Sequence, residues 1–289
     1  MKRPKPRLQI TGIIGDPIAH TLSPVMHNAN FRSKKLPFAY FAFHVRPAAL
    51  SRFLTDVRTW KGLRGFNVTI PHKEAILKHL DGLSPEARAI GAANTVVVAG
   101  KKLLGFNTDS AGYLQSLKDE TGFSPKGKTT VVLGAGGAAR SVVYALAKAG
   151  AREIAVANRT RSRAKKIAQE FGKKFPKTRI VDIPFQMPLL HKIFPEIDLL
   201  VNTTSVGLKG TRFAGLPLKS LKKTSVVSDL VYRPRLTPLL ESAKRHRLTL
   251  HPGLGMLLHQ GALAAKLWTK KQPDLRVMKK ALLDALKRT

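Results

Sequence analysis

The chain has 289 residues, and at roughly 150 residues per domain this suggests two domains. Its hydrophobic content of 43% supports a sizeable core and excludes a disordered chain, while 51 Lys and Arg against 17 Asp and Glu give a formal net charge of +34. With no cysteine, disulfide frameworks, Cys-ligated zinc, iron–sulfur sites and cysteine nucleophiles are excluded, and no apolar run reaches the length of about 18 residues that a membrane span needs.

Strand-like and helix-like runs alternate, the pattern of an α/β protein with mostly parallel sheets. The start, residues 1–7, is basic, and Gln9, Thr11 and Gly12 interrupt the apolar run over 8–14; a strand entering a domain fits better than a signal peptide. Residues 24–33 read as a helix, with Ser23 as N-cap and Pro24 at its first position. A strand follows over 38–44, then a helix over 48–59. A third strand over 65–70 meets Pro71, which opens a helix over 71–80. Ser84-Pro85-Glu86 starts a short helix, residues 95–98 and 102–106 form a hairpin around Gly100-Lys101, and 109–120 are helical.

Turn signals over 121–128 separate two structural units. From Thr129 the pattern becomes strand (129–133), glycine turn, helix (138–149) and strand (153–157). Short apolar runs follow at 199–201, 225–230 and 248–250, and helical spacing over 255–267 and 275–286 closes the chain.

The basic residues are dispersed, in pairs from Lys34-Lys35 to Lys279-Lys280, without a long basic arm or aromatic–basic interleaving. This argues against specific nucleic-acid recognition and for non-specific polyanion adhesion and attraction of small anionic substrates. Bases occupy about one position in six and acids about one in seventeen, so an acid where chemistry needs one says more than a base does.

Gly134-Ala135-Gly136-Gly137-Ala138-Ala139 satisfies G-x-G-x-x-A between a strand and a helix, the setting of a dinucleotide fingerprint. Gly134 permits the tight turn, Gly136 lets backbone approach a pyrophosphate, and the free N–H groups of the helix face the phosphates. A tight turn that binds nothing is the alternative. The next strand ends in Asn158-Arg159-Thr160, with Arg163 nearby and no acid, which favours NADP over NAD.

Residues 67–73 run off a strand end into a helix, where an α/β fold presents side chains to a ligand. Thr69 offers a hydroxyl there, and Lys73 either donates a proton to a developing alkoxide or is a solvated surface lysine. Asp109 opens a helix, as an N-terminal cap, as the partner that orients the lysine, or as both. Thr21 and Ser23 could bind a carboxylate or cap a helix. Capping is the default for Asn94, and packing for Tyr232 and Gln260. No His pair has metal-ligand spacing, no metal site is expected, and His246 and His251 read as surface or loop residues.

In their order and spacing these segments resemble the shikimate dehydrogenase family over nearly the whole chain. The matching stretches are Thr21-Leu22-Ser23-Pro24 with His27-Asn28, residues 67–73, Gly91-Ala92-Ala93-Asn94-Thr95, 105–109, 134–140, Asn158-Arg159-Thr160, 202–207, 229–232 and 253–260. The resemblance implies a cytoplasmic, NADP-dependent oxidoreductase of aromatic amino-acid and chorismate biosynthesis, reducing 3-dehydroshikimate to shikimate as a monomer or homodimer, with no membrane or specific nucleic-acid partner.

It implies Lys73 as acid–base group paired with Asp109, and Thr21 and Ser23 on the substrate carboxylate. Thr69, Asn94, Tyr232 and Gln260 would contact ring hydroxyls or carboxylate. Gly134, Ala135, Gly136, Gly137 and Ala138 would cradle the pyrophosphate. Asn158, Arg159, Thr160 and Arg163 would surround the 2′-phosphate, and Leu230 and Gly253 would lie by the nicotinamide. The implied fold is an N-terminal α/β substrate domain, residues 1–109 joined by the C-terminal helices from 253–289, and a Rossmann-like domain over 110–252. The active site would lie in the crevice between them. Two features depart from the family. Thr21 stands where it usually has Ser, and the added methyl leaves a quinate/shikimate enzyme with relaxed substrate or NAD use as the alternative. The charge of +34 exceeds what the family leads one to expect.

Overall fold

The computed structural model describes residues 7–287; the basic residues 1–6 lie outside them. Two compact units emerge, one of residues through Thr108 together with those from Leu258 onward, the other Asp109–Leu257. Against the expected division at 109/110 and 252/253, Asp109 and the first residues of the helix beginning at Gly253 fall in the second unit.

In the first unit, strands β1 (Gln9–Gly15), β2 (Phe38–His44), β3 (Leu63–Val68), β4 (Gly82–Leu83), β5 (Thr95–Ala99) and β6 (Lys102–Phe106) form one sheet in the order β2-β1-β3-β5-β6-β4. Parallel pairs join β1 to β2 and β3, and the β5–β6 hairpin returns antiparallel to β3. Its helices are α1 (Ser23–Ser33), α2 (Leu50–Asp56), α3 (His72–Ala75) and α4 (Pro85–Ile90). Strand alternation sorts the core onto two faces. Ile14, Phe66, Val68 and Val96 pack with Leu54 and Ile76. Ile13 and Tyr40 pack with Phe31 and Trp268 on the other face.

Three expectations are corrected here. Leu22, at φ −92° and ψ −1°, is the residue flanking α1, so Ser23 is its first residue and not its cap. The helix expected over 48–59 is α2 between two 3₁₀ turns, Pro47–Ala49 and Val57–Thr59. Thr55 and Thr59 hydroxyls bond back to the carbonyls of Ser51 and Asp56, which competes with helix continuation. The helix expected over 71–80 is the single turn of α3 followed by a 3₁₀ turn, Ile76–His79.

The second unit contains α5 (Asp109–Thr121), β7 (Thr129–Leu133), α6 (Gly137–Lys148), β8 (Glu153–Asn158), α7 (Arg161–Lys174), β9 (Arg179–Pro184), α8 (Met187–Ile193), β10 (Leu199–Asn202), β11 (Val206–Lys209), β12 (Val226–Asp229), α9 (Pro238–Arg245) and β13 (Thr249–Pro252). The chain ends in α10 (Gly253–Thr269) and α11 (Leu275–Lys287), and α11 packs on α1. A six-stranded sheet runs β13-β12-β10-β7-β8-β9, with every pair parallel. Strand order reverses between β7 and β10, the switch point at whose carboxyl ends a doubly wound sheet binds ligands. Among the described residues, no helix is long and apolar enough to cross a membrane.

Candidate active site

In the first unit, an amide cluster gathers around Asn94, in the loop entering β5. Asn94 is buried, and its Oδ1 accepts the backbone N–H of Thr108 at 2.7 Å. Its Nδ2 donates to Thr108 Oγ1 at 2.9 Å and to Gln260 Oε1 at 3.2 Å. Asn94 is therefore no helix cap, and Gln260 does more than pack, since this bond joins the loop entering β5 to α10. Asn67 and Thr95 belong to the same cluster: Asn67 Nδ2 donates to the Asn94 carbonyl and to Thr95 Oγ1. Sequence reasoning did not single out Asn67, Thr95 or Thr108. A buried Asn on a central strand was the available signal, because such an amide must find partners.

Lys73 is half-buried in α3, directly after β3. Its carbonyl accepts the Ala93 N–H at 2.9 Å, which seats the helix against the loop that carries Asn94. His72 anchors that turn, its Nε2 donating to the Val45 carbonyl at 2.6 Å. Thr69, half-buried between strand and helix, is held by its own N–H on the Ile14 carbonyl. The buried Ser23 opens α1, and its N–H is accepted by the Thr21 hydroxyl at 3.3 Å, so Thr21 performs the local capping.

In the second unit, Asp109 is buried at the first position of α5, where a carboxylate is favoured by the helix dipole. The glycine turn sits at the switch point. Gly134 has φ +113°, and a Cβ there would come within 2.5 Å of Thr203 Oγ1, so conformation and space both demand glycine. Around Gly136 the space is open: a Cβ would meet nothing within 4 Å. Gly136 precedes α6 without a side-chain cap, leaving the first-turn N–H groups of Gly137 and Ala138 for an anion. Ala135 lies between them in the turn, half-buried.

Past β8, the side chain of Asn158 donates to the Thr160 carbonyl at 2.9 Å and shapes the entry to α7. Thr160 caps α7 without a side-chain bond. Arg161 is spent on Asp182 at 2.8 Å, whereas the exposed Arg159 and Arg163 make no ion pair among the described residues. Two arginines and a hydroxyl at an uncapped helix start are the donor set a phosphate monoester needs.

The loop after β12 is tied down by Asp229. Its Oδ1 accepts from Asn202 Nδ2 at 2.9 Å and from the Val231 N–H at 3.0 Å, and its Oδ2 from Thr237 Oγ1 at 2.6 Å. Burial pushes this carboxyl up to about 6, against the opposing pull of those hydrogen bonds. Leu230 and Tyr232 ride on the loop, both half-buried, and a Cβ on Gly253 would collide with the Leu230 carbonyl. The structure thus brings Leu230 and Gly253 together.

His251, expected at the surface, is buried on β13. Its Nδ1 and Nε2 each meet a serine hydroxyl at 2.8 Å, Ser228 and Ser116 respectively, and burial holds its pKa down to about 4. The reason for the difference is tertiary, because Ser116 lies 135 positions away in sequence.

Comparison with known proteins adds a family. Residues 13–96 match the shikimate dehydrogenase substrate binding domain, residues 116–206 the shikimate / quinate 5-dehydrogenase model, and residues 253–283 the shikimate 5'-dehydrogenase C-terminal domain. The shikimate dehydrogenase (NADP(+)) of Geobacter metallireducens is 44% identical over 282 residues, 98% of each chain. The crystal structure of shikimate 5-dehydrogenase from Thermus thermophilus, in complex with NADP(H) and shikimate, is similar with a TM-score of 0.85 and 42% identity, covering 96% of this chain and all of that one. Quinate dehydrogenase from Corynebacterium glutamicum, in complex with NAD, gives a TM-score of 0.86 at 28% identity, covering 96% of this chain and 100% of that one.

Proposed function

The chain belongs to the shikimate dehydrogenase family, and from that membership we propose that it interconverts 3-dehydroshikimate and shikimate with NADP, using Lys73 as acid–base group and Asp109 as its partner. The observation that carries this reading is the likeness, over 98% of the chain, to a relative named for that substrate and cofactor.

The second unit's residues fit the cofactor by their own chemistry. The open space at Gly136 and the uncapped start of α6 suit a pyrophosphate, and Arg159, Thr160 and Arg163 suit a 2′-phosphate. When bound, NADP supplies or accepts the hydride at the substrate's carbonyl carbon. In reduction, the Lys73 ammonium donates its proton to the carbonyl oxygen; in oxidation, the neutral amine takes the hydroxyl proton. The Asp109 carboxylate holds the substrate hydroxyl. Thr21 and Ser23 hold the substrate carboxylate, while Thr69, Asn94, Tyr232 and Gln260 fix the ring. In this reading the protein works in the cytoplasm as a monomer or homodimer, and its positive field concentrates the anionic substrate.

Two observations favour a second reading with relaxed choice of acid or cofactor: Thr21 in place of the family's usual Ser, and the likeness to a quinate dehydrogenase bound to NAD. Steady-state kcat/KM for shikimate and quinate, each with NADP and NAD, separates the two. Shikimate with NADP should exceed every other combination; comparable values for quinate or NAD support the relaxed enzyme, and no turnover with any combination removes both.

A further inference from the structure

On β2, the Tyr40 ring is buried and stacked on the His27 imidazole, with 4.3 Å between centroids and 10° between planes. Trp268 of α10 leans on both, 5.5 Å from His27 and 6.0 Å from Tyr40. The imidazole is sealed. Neither of its nitrogens has a hydrogen-bond partner, and burial holds its pKa down to about 3, so it serves as a neutral aromatic plate. Held this way, the Tyr40 hydroxyl donates to Asn67 Oδ1 at 2.7 Å.

That bond and the Asn94 carbonyl together hold the Asn67 amide in one orientation. With Oδ1 toward Tyr40, Nδ2 faces two acceptors, the Asn94 carbonyl at 3.1 Å and Thr95 Oγ1 at 2.9 Å. The flipped amide would set Oδ1 against the Asn94 carbonyl, leaving two buried acceptors face to face. Thr95 Oγ1, occupied by the Asn67 donor, directs its own proton to Asn94 Oδ1 at 3.2 Å. Asn94 Oδ1 also accepts the Thr108 backbone N–H at 2.7 Å, which leaves Nδ2 facing Gln260. The phenol, the two amides and the Thr95 hydroxyl thus form one connected buried network with matched donors and acceptors.

We propose that Tyr40 is a positioning residue for substrate binding: its hydroxyl holds the Asn67 amide, which braces the Asn94 carbonyl and Thr95 and so steadies the loop that presents Asn94 to Gln260. The inference rests on the reading of Asn94 and Gln260 as substrate contacts. Tyr40 itself acts only through its neighbours. His27, Trp268 and the ring of Tyr40 form the rigid support, and the hydroxyl ties that support to Asn67.

Tyr40→Phe keeps the ring stack and removes only the hydroxyl. In the full-length enzyme, KM for shikimate should rise about three- to tenfold, the worth of one buried hydrogen bond, with kcat and the NADP KM within about twofold of wild type. Thr95→Val breaks the next link and should give the same split. The double variant should exceed the larger single effect by less than about twofold, because both changes act through one amide. Thermal midpoints taken in parallel show that each variant folds. An unchanged shikimate KM in Tyr40→Phe, an NADP KM that rises equally, or multiplying effects in the double variant would overturn the inference while leaving the function intact. A wild type without shikimate turnover would instead overturn the functional reading, and this inference with it.

Discussion

Replacing His251 with Gln should flatten the acid limb of the second unit's stability profile. The imidazole is 1% exposed, its nitrogens are taken by Ser116 and Ser228, and burial lowers its pKa from 6.5 to about 4. The sign follows from proton uptake. A base with a depressed folded pKa contributes stability that is complete above its unfolded value and is lost as pH falls toward the folded one. Between pH 7 and pH 5 the unfolded chain protonates this histidine and the folded chain does not, which costs about 2 kcal/mol at 1.36 kcal/mol per pK unit. Asp229 has the opposite sign. Its pKa is raised to about 6, so its folded form takes up a proton first, and the same acidification returns about 1 kcal/mol. The wild-type slope is therefore a sum of opposing terms, and the variant-minus-wild-type difference isolates His251. Urea titrations at both pH values measure it. Far-UV circular dichroism follows both units, whereas Trp60 and Trp268, the chain's 2 tryptophans, both lie in the first. The second unit's transition is thus the one without a fluorescence counterpart. Relative to wild type, His251→Gln should gain about 2 kcal/mol between pH 7 and pH 5. Parallel profiles, agreeing within about 0.5 kcal/mol, would refute the buried neutral imidazole.

Lys73→Met and Asp109→Asn should each lower kcat at least about 100-fold, the usual scale for removing a general acid or base, with unchanged circular dichroism; near-normal turnover in either would exclude that residue from the catalytic pair. Gly134→Ala forces a side chain into φ +113° and against Thr203 Oγ1. It should lower the thermal stability by about 1–3 kcal/mol and raise the NADP KM more than the shikimate KM. Substituting Arg159 and Arg163 together by Ala should raise the NADP KM at least about tenfold and change kcat/KM with NAD by less than about twofold. An equal loss with both cofactors would detach these arginines from the 2′-phosphate.

Much of the candidate site was legible because its signals are local. The strand before Gly134, the helix after it and the Arg-rich end of β8 are each visible within a few residues. The sequence pattern does not reveal α7, although Ala164, Ile167, Ala168 and Phe171 form its buried stripe at helical spacing. Arg161, Arg163, Lys165, Lys166, Lys173 and Lys174 crowd that stripe and mask its periodicity in so basic a chain. Ser23 illustrates another limit. Its residue type suits a cap, but the cap is decided by the backbone of Leu22, which is already near-helical.

Periodicity, turn glycines and strand–helix alternation were decided by the sequence itself, because they arise from sterics and hydrogen bonds between residues a few positions apart. The partners of the buried polar groups were decided only by the tertiary structure. Asn94 meets Gln260 across 166 positions, Tyr40 meets Asn67 across 27, and Asp229 meets Asn202 across 27. A polar side chain taken out of water must be satisfied, but its residue type does not specify by whom. Sheet register and the packing of helices on it bring those particular groups within hydrogen-bonding distance.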